Sequence, residues 1–235
     1  MTDPIRIDVW SDIACPWCYI GKRNLEAGLR EIEGDENAPE VEVTFHSYEL
    51  SPDTPVDFDG DELDYLADRK GMERQQVQQM LDNVTGVAAK AGLEYHFETV
   101  KHTNTVKAHE LLHAAKAAGR QHDMAERLMS AYFVEGKHVG RIDDLVDLAA
   151  EVGLDRAETR AALEDERYVA DVRADQAQAA AYGINGVPFF VIDGKYGVSG
   201  AQPPEAFSQI ARQVWAERSA EPEVEETGAE APVAG

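Results

Sequence analysis

The chain has 235 residues, 43% of them hydrophobic, and its 45 Asp plus Glu against 22 Lys plus Arg leave a formal net charge of −23. That length can bury a substantial core without a covalent staple, and a negative field of this size repels phosphate backbones and anionic lipid, which argues against nucleic acid and membrane surfaces as partners. Only two cysteines are present, Cys15 and Cys18.

The opening residues Met1 to Arg6 carry neither a basic nor an apolar leader pattern. No later segment approaches about 20 uninterrupted apolar residues, so a soluble, cytoplasmic protein is expected. Lysines are fewer than arginines. With the acidity, this reads either as adaptation to a salty cytoplasm, where repulsion is screened, or as plain solubility.

In chain order, Ile5 to Trp10 alternates apolar and polar residues and predicts a strand. The cysteine pair follows, and Gly21 to Ile32 then carries Leu25, Leu29 and Ile32 at helical spacing. Val41 to Leu50 alternates again. Strand, helix and strand in succession predict a βαβ unit with a right-handed crossover. From Asp61 to about Tyr182 nearly every segment reads as helix: 61–71, 73–92, 104–119, 121–136, 141–153 and 155–183, several closed by glycine. Pro188 to Asp193 restores the strand pattern, and the Asp193-Gly194 turn before Lys195 to Gly200 predicts a hairpin. A last helix is expected from about Pro204 to Glu217. The acidic Pro/Ala/Glu segment 219–235 is expected to be disordered.

Neither end piece completes a sheet alone, so the two are expected to join. The predicted fold class is α/β, one mixed sheet built from 1–60 and 183–218 with 61–182 as a large all-helical insertion. The cysteines then fall where the first strand hands over to the first helix. At a helix N-terminus the free N–H groups and the macrodipole stabilise an anion, so Cys15 is expected to lose its proton more readily than a free thiol. Pro16 suits the first helical position. Cys18, one turn on and more deeply buried, is within reach to resolve a mixed disulfide. Trp17 reads either as a lip that partners touch or as apolar cover.

Alternatives exist for each of these residues. A permanent bridge is disfavoured in a reducing cytosol, and so short a loop adds little stability. His109 and His113 complete a formal two-Cys, two-His set, but the pairs lie too far apart in sequence for a compact zinc finger, so no metal is expected. Asp12 reads equally as a cap, a proton acceptor or a loop acid. His46, His96, His102, His122 and His138 show no pattern beyond solvated or core residues.

Three stretches, 11–26, 104–112 and 186–202, resemble the DsbA-like thioredoxin-fold proteins, and more closely their FrnE-like subgroup, with 2-hydroxychromene-2-carboxylate isomerases and kappa-class glutathione transferases as relatives. The resemblance implies a thioredoxin-like sheet and a cis Val187-Pro188 bond lying against the cysteines, with Pro188 in the catalytic set and the Val187 backbone open to an extended substrate. It also implies that Asn104 and His109 line a groove facing Cys15. The isomerase and transferase branches carry serine where this chain has Cys15 and use glutathione. Both sulfurs are kept here, so the expected function is thiol-disulfide exchange, with Cys15 attacking, Cys18 resolving, and proteins or small thiols as substrates. No cofactor beyond the cysteine pair is expected, unless glutathione or another low-molecular-weight thiol takes part. The alternative is a glutathione-dependent isomerase or transferase. The oligomeric state, monomer or homodimer, is not legible.

Overall fold

A computed structural model describes residues 3–35, 38 and 40–220. The chain runs β1 (Ile5–Ser11), α1 (Pro16–Ile32), β2 (Val41–Ser47), α2 (Glu62–Lys70), α3 (Arg74–Lys90), α4 (Val106–Ala117), α5 (Gln121–Phe133), α6 (Ile142–Glu151), α7 (Arg156–Glu164), α8 (Val169–Ala181), β3 (Phe189–Ile192), β4 (Tyr196–Ser199) and α9 (Pro204–Ala220). The strands form one mixed sheet ordered β2-β1-β3-β4. β1 lies parallel to β2 and antiparallel to β3, with Ile7 opposite Val43 on one side and Ile192 on the other. The first and last parts of the chain therefore share one sheet, with the helices α2 to α8 inserted between them.

The alternation Ile5, Ile7, Val9 puts three aliphatic side chains on the buried face of a central strand. Those residues join Leu111, Leu128 and Leu145 of the inserted helices in a continuous core. The β3–β4 turn has both Asp193 (φ 56) and Gly194 (φ 66) left-handed, as a primed hairpin turn requires. Helix α2 starts at a capping box in which Asp61 accepts from the Asp64 amide.

Three boundaries differ from the sequence expectation. The second strand stops at Ser47, because Tyr48 N donates to Ser11 O and Leu50 N donates to the Asp12 carboxylate, drawing residues 48–50 around the end of β1. The helix expected over 155–183 breaks into α7 and α8. Glu166 takes a left-handed φ of 52, a conformation usually left to glycine, so no residue type announced the stop. The last helix runs to Ala220, so Ser219 and Ala220 are helical and the expected disordered segment, from residue 221 on, lies outside the described residues. No helix among the described residues is long and apolar enough to cross a membrane.

Candidate active site

Strand β1 delivers the chain to the middle of the sheet edge, and a short turn then starts α1. Cys15 N donates to Asp12 O, and Ala14 N donates to Asp12 Oδ1 at 3.3 Å. Cys15 is the N-cap of α1, with extended backbone (φ −94, ψ 113), and Pro16 takes the first helical position, where its missing N–H costs nothing. Both sulfurs are unbridged and buried. They are not equivalent: Cys15 lines a cavity of about 370 Å³, whereas Cys18 is not part of its wall. Burial, then the hydrogen bond and charge of Cys15, push the Cys18 thiol well above its ordinary range.

The Val187-Pro188 bond is cis, and the Cys15 thiol lies 3.7 Å from the Val187 carbonyl oxygen. Gly21 on α1 makes room for this loop, since a Cβ there would meet Pro188 Cγ at 2.9 Å. The rest of the Cys18 turn clamps α1 to the inserted helices. Tyr19 donates to Glu126 on α5, and Lys22 and Arg23 pair with the same carboxylate. The Tyr95 hydroxyl donates to Pro16 O at 2.7 Å. Burial, then the Cys15 charge, push that phenol up.

Asp12 sits beneath the turn. It accepts from Leu50 N at 2.8 Å and faces His109 Nε2 at 3.3 Å, and both side chains are almost completely buried. Burial alone would raise the carboxyl, but His109, Leu50 and Thr105 together hold it below the usual aspartate value. Trp17 is 42% exposed at the cavity edge, beside Pro16. On the far wall stand Tyr65, Leu66, Leu81, Val84 and Phe97, with Arg69 and Lys70 also lining the cavity.

Two expected groove residues sit elsewhere. His109 is fully buried against Asp12 and does not line the cavity. Asn104 faces away: its side chain accepts from Val106 N at the start of α4 and donates to Pro52 O, while its neighbours Thr103 and Thr105 form the wall. The correction has one cause, because α4 packs its first turn inward, onto the acid under the cysteine turn. His113 pairs with Asp175 at 3.0 Å, away from the cysteines. His102, which carries no sequence signal, lies on the cavity wall and bonds Glu62 at 2.9 Å. Only the cavity-facing apolar spacing of α2 and α3 could have hinted at this wall.

Comparison with known proteins bears on the family and the fold. Residues 6–211 match the model of the DSBA-like thioredoxin domain. Protein YwbO of Bacillus subtilis (strain 168) is 34% identical over 209 residues, covering 87% of this chain and 94% of its own. The crystal structure of a probable DsbA oxidoreductase from Streptomyces coelicolor superposes with a TM-score of 0.86 at 39% identity, covering 98% of this chain and 100% of that one. The cytosolic disulfide reductase DsbM from Pseudomonas aeruginosa, solved with GSH, shares the fold at 18% identity and a TM-score of 0.64, over 90% of this chain and 99% of that one. With the family model matched over residues 6–211 and relatives at 34% and 39% identity over most of the chain, the chain belongs to the DSBA-like thioredoxin domain family.

Proposed function

We propose that the protein is a thiol-disulfide oxidoreductase in which Cys15 exchanges disulfides with a substrate and Cys18 resolves the mixed disulfide. The observation that carries this reading is the asymmetry of the pair: the helix-capping sulfur opens on a cavity, and its partner is sealed one turn behind it. The free N–H groups and the dipole at the start of a helix favour an anion placed there, and Cys15 holds that position without a side-chain cap hydrogen bond of its own. A neighbour held as a thiol cannot compete for substrate, yet it lies close enough to displace it. The 39% identical probable DsbA oxidoreductase supports the same reading.

Pro16, Trp17, the Val187 backbone and Pro188 form the contact surface in this proposal, and the dithiol itself serves as the redox centre without a bound cofactor. Substrates are protein or small-thiol disulfides, and a cytoplasmic setting is part of the proposal. The test is capture: Cys18→Ala should accumulate a mixed disulfide on Cys15, and Cys15→Ser should reduce insulin no faster than buffer. Insulin reduction that survives Cys15→Ser overturns the assignment. The cavity beside Cys15 favours one second reading, a glutathione-dependent isomerase or transferase. On that reading Cys15→Ser leaves isomerase turnover nearly intact.

A further inference from the structure

The loop that meets Cys15 is anchored at two points and unbonded between them. On one side Ile184 is buried, and its amide donates to Ala179 O at 2.9 Å, closing the end of α8. On the other side Pro188 is buried after the cis bond, and its carbonyl accepts from Gly200 N at 2.8 Å. Asn185 and Gly186 lie between these anchors. Asn185 is exposed, and neither its side chain nor the Gly186 amide makes a hydrogen bond among the described residues. Asparagine in a loop ordinarily bonds nearby backbone. Asn104 does so with Val106 N, and Asn24 is held through Gln202 O.

Asn185-Gly186 is the only Asn-Gly pair in the sequence. The fold makes no demand for glycine there: its φ lies outside the left-handed region, and a Cβ built on it would meet nothing within 4 Å. Glycine instead supplies an amide nitrogen with no side chain beside it, next to a carboxamide that no contact restrains. Asparagine is among the chemically labile residues, and this pairing leaves its carboxamide open to the following nitrogen.

We propose that Asn185 is a site of spontaneous modification, at which asparagine becomes isoaspartate two residues before Val187 and exchange at Cys15 is thereby disabled. The loss of exchange rests on the reading of Cys15 as nucleophile; the conversion does not. Water is the co-reactant. The Gly186 amide gives its proton to solvent hydroxide, and its nitrogen bonds Asn185 Cγ. The Cγ–Nδ2 bond breaks, and Nδ2 leaves as ammonia after taking a proton from water. Water then adds to one carbonyl of the five-membered succinimide, the C–N bond there breaks, and the nitrogen regains a proton. Opening at the backbone carbonyl leaves isoaspartate, whose main chain runs through Cγ, and opening at Cγ leaves aspartate. No atom changes oxidation state. Isoaspartate lengthens the backbone by one C–C bond, about 1.5 Å, and adds a carboxylate. That extra length falls one peptide before Val187, whose carbonyl oxygen lies 3.7 Å from the Cys15 sulfur. A misplacement of about 1 Å can slow a reaction by up to about 10²-fold.

The test is ageing. Purified protein is held for days in warm, mildly alkaline buffer, and samples are taken for peptide mapping, an isoaspartate assay, ammonia release and insulin reduction. Isoaspartate should accumulate at position 185 while Asn24 and Asn104 stay intact, with ammonia released in step. The converted fraction, separated by isoelectric focusing, should reduce insulin more slowly by up to about 10²-fold. Gly186→Ala, whose Cβ crowds the attacking nitrogen, should keep its mass and its starting activity over the same period. So should Asn185→Gln, which would have to close a larger ring. A position 185 that stays asparagine overturns the proposal. A converted fraction as active as fresh protein, or an equal decline in both variants, overturns the link to Cys15. Fresh wild type that reduces insulin no faster than buffer would instead overturn the oxidoreductase reading, with the mass at position 185 still deciding the modification.

Discussion

Asp12 has the sequence signature of an ordinary loop acid, yet it is closed in under the cysteine turn against His109. Its carboxyl is held below the usual value of 3.8, so its contribution to stability is present above that value and lost as pH falls through the lower folded one. Removing Asp12 leaves buried His109 Nε2 and Leu50 N without their partner, so Asp12→Ala is expected to cost about 1–3 kcal/mol. The check is the urea midpoint at unchanged slope. Adding His109→Leu should recover part of the loss, because it removes the stranded partner. A single-variant loss under about 1 kcal/mol would mean that the pair is not a working contact. At this scale legibility follows distance along the chain. Cys15, Pro16, Trp17 and Cys18 could be read together because one helix start defines their geometry. The partners His109 and Asp12 are 97 residues apart, and His102 and Glu62 are 40 apart, so no local pattern links them. Asn104 and His109 were expected at the groove from resemblance alone, which named the right turn but not the direction its side chains take.

Helix α1 owes its position to two absent side chains. Besides Gly21, Gly28 lets α9 approach so closely that a Cβ would stand 2.3 Å from Pro204 O and 2.9 Å from Phe207 Cβ. Alanine is worth up to about 1 kcal/mol over glycine in an open helix. Here the sign should reverse, with Gly28→Ala destabilising by about 1–3 kcal/mol through overpacking. Thermal unfolding measures it, and a stabilised variant would refute the close packing. Between elements, His46 on β2 bridges Asp8 on β1 at 2.7 Å and Asp175 on α8 at 2.8 Å, while His113 on α4 approaches the other Asp175 oxygen. Burial lowers the His46 pKa, but the bonds to Asp175 and Asp8 outweigh it, so the net shift is upward. A raised histidine adds stability that is complete below its unfolded value of about 6.5 and fades as pH rises through the folded value. Asp175 is shifted down, after burial is outweighed by its histidine bonds, and so keeps its contribution above the usual aspartate range. His46→Gln should therefore cost about 1–3 kcal/mol between those limits, and the gap to wild type should narrow at alkaline pH. A gap independent of pH would remove the ionic account. Strand and helix periods were readable here because apolar spacing survives in each segment. The α7–α8 break was not, since Glu166 adopts its left-handed turn under tertiary demand.

Across the whole molecule, the excess of acids outweighs the many exposed ion pairs, such as Arg141–Asp57 and Arg69–Asp53. Exposed pairs of that kind are worth about 0–1 kcal/mol each, whereas the summed repulsion acts over the entire surface. Molar KCl shortens the screening length to about 3 Å. It should thus raise the melting temperature by about 2–4 °C, equivalent to about 1 kcal/mol at this size. A flat or falling curve would show that the net charge carries no stability cost. The architecture could be read from the order of periodicities, strands at both ends and helices between, but the pairing of β3 with β1 rather than with β2 could not. That pairing, Ile7 with Ile192, has a consequence in time. Cys15 reaches its carbonyl contact at Val187 across 172 residues. During synthesis the two sulfurs emerge from the ribosome long before the loop that roofs them exists. Each nascent chain therefore carries a bare dithiol through most of its translation, before the Val187 carbonyl that meets Cys15 has been made.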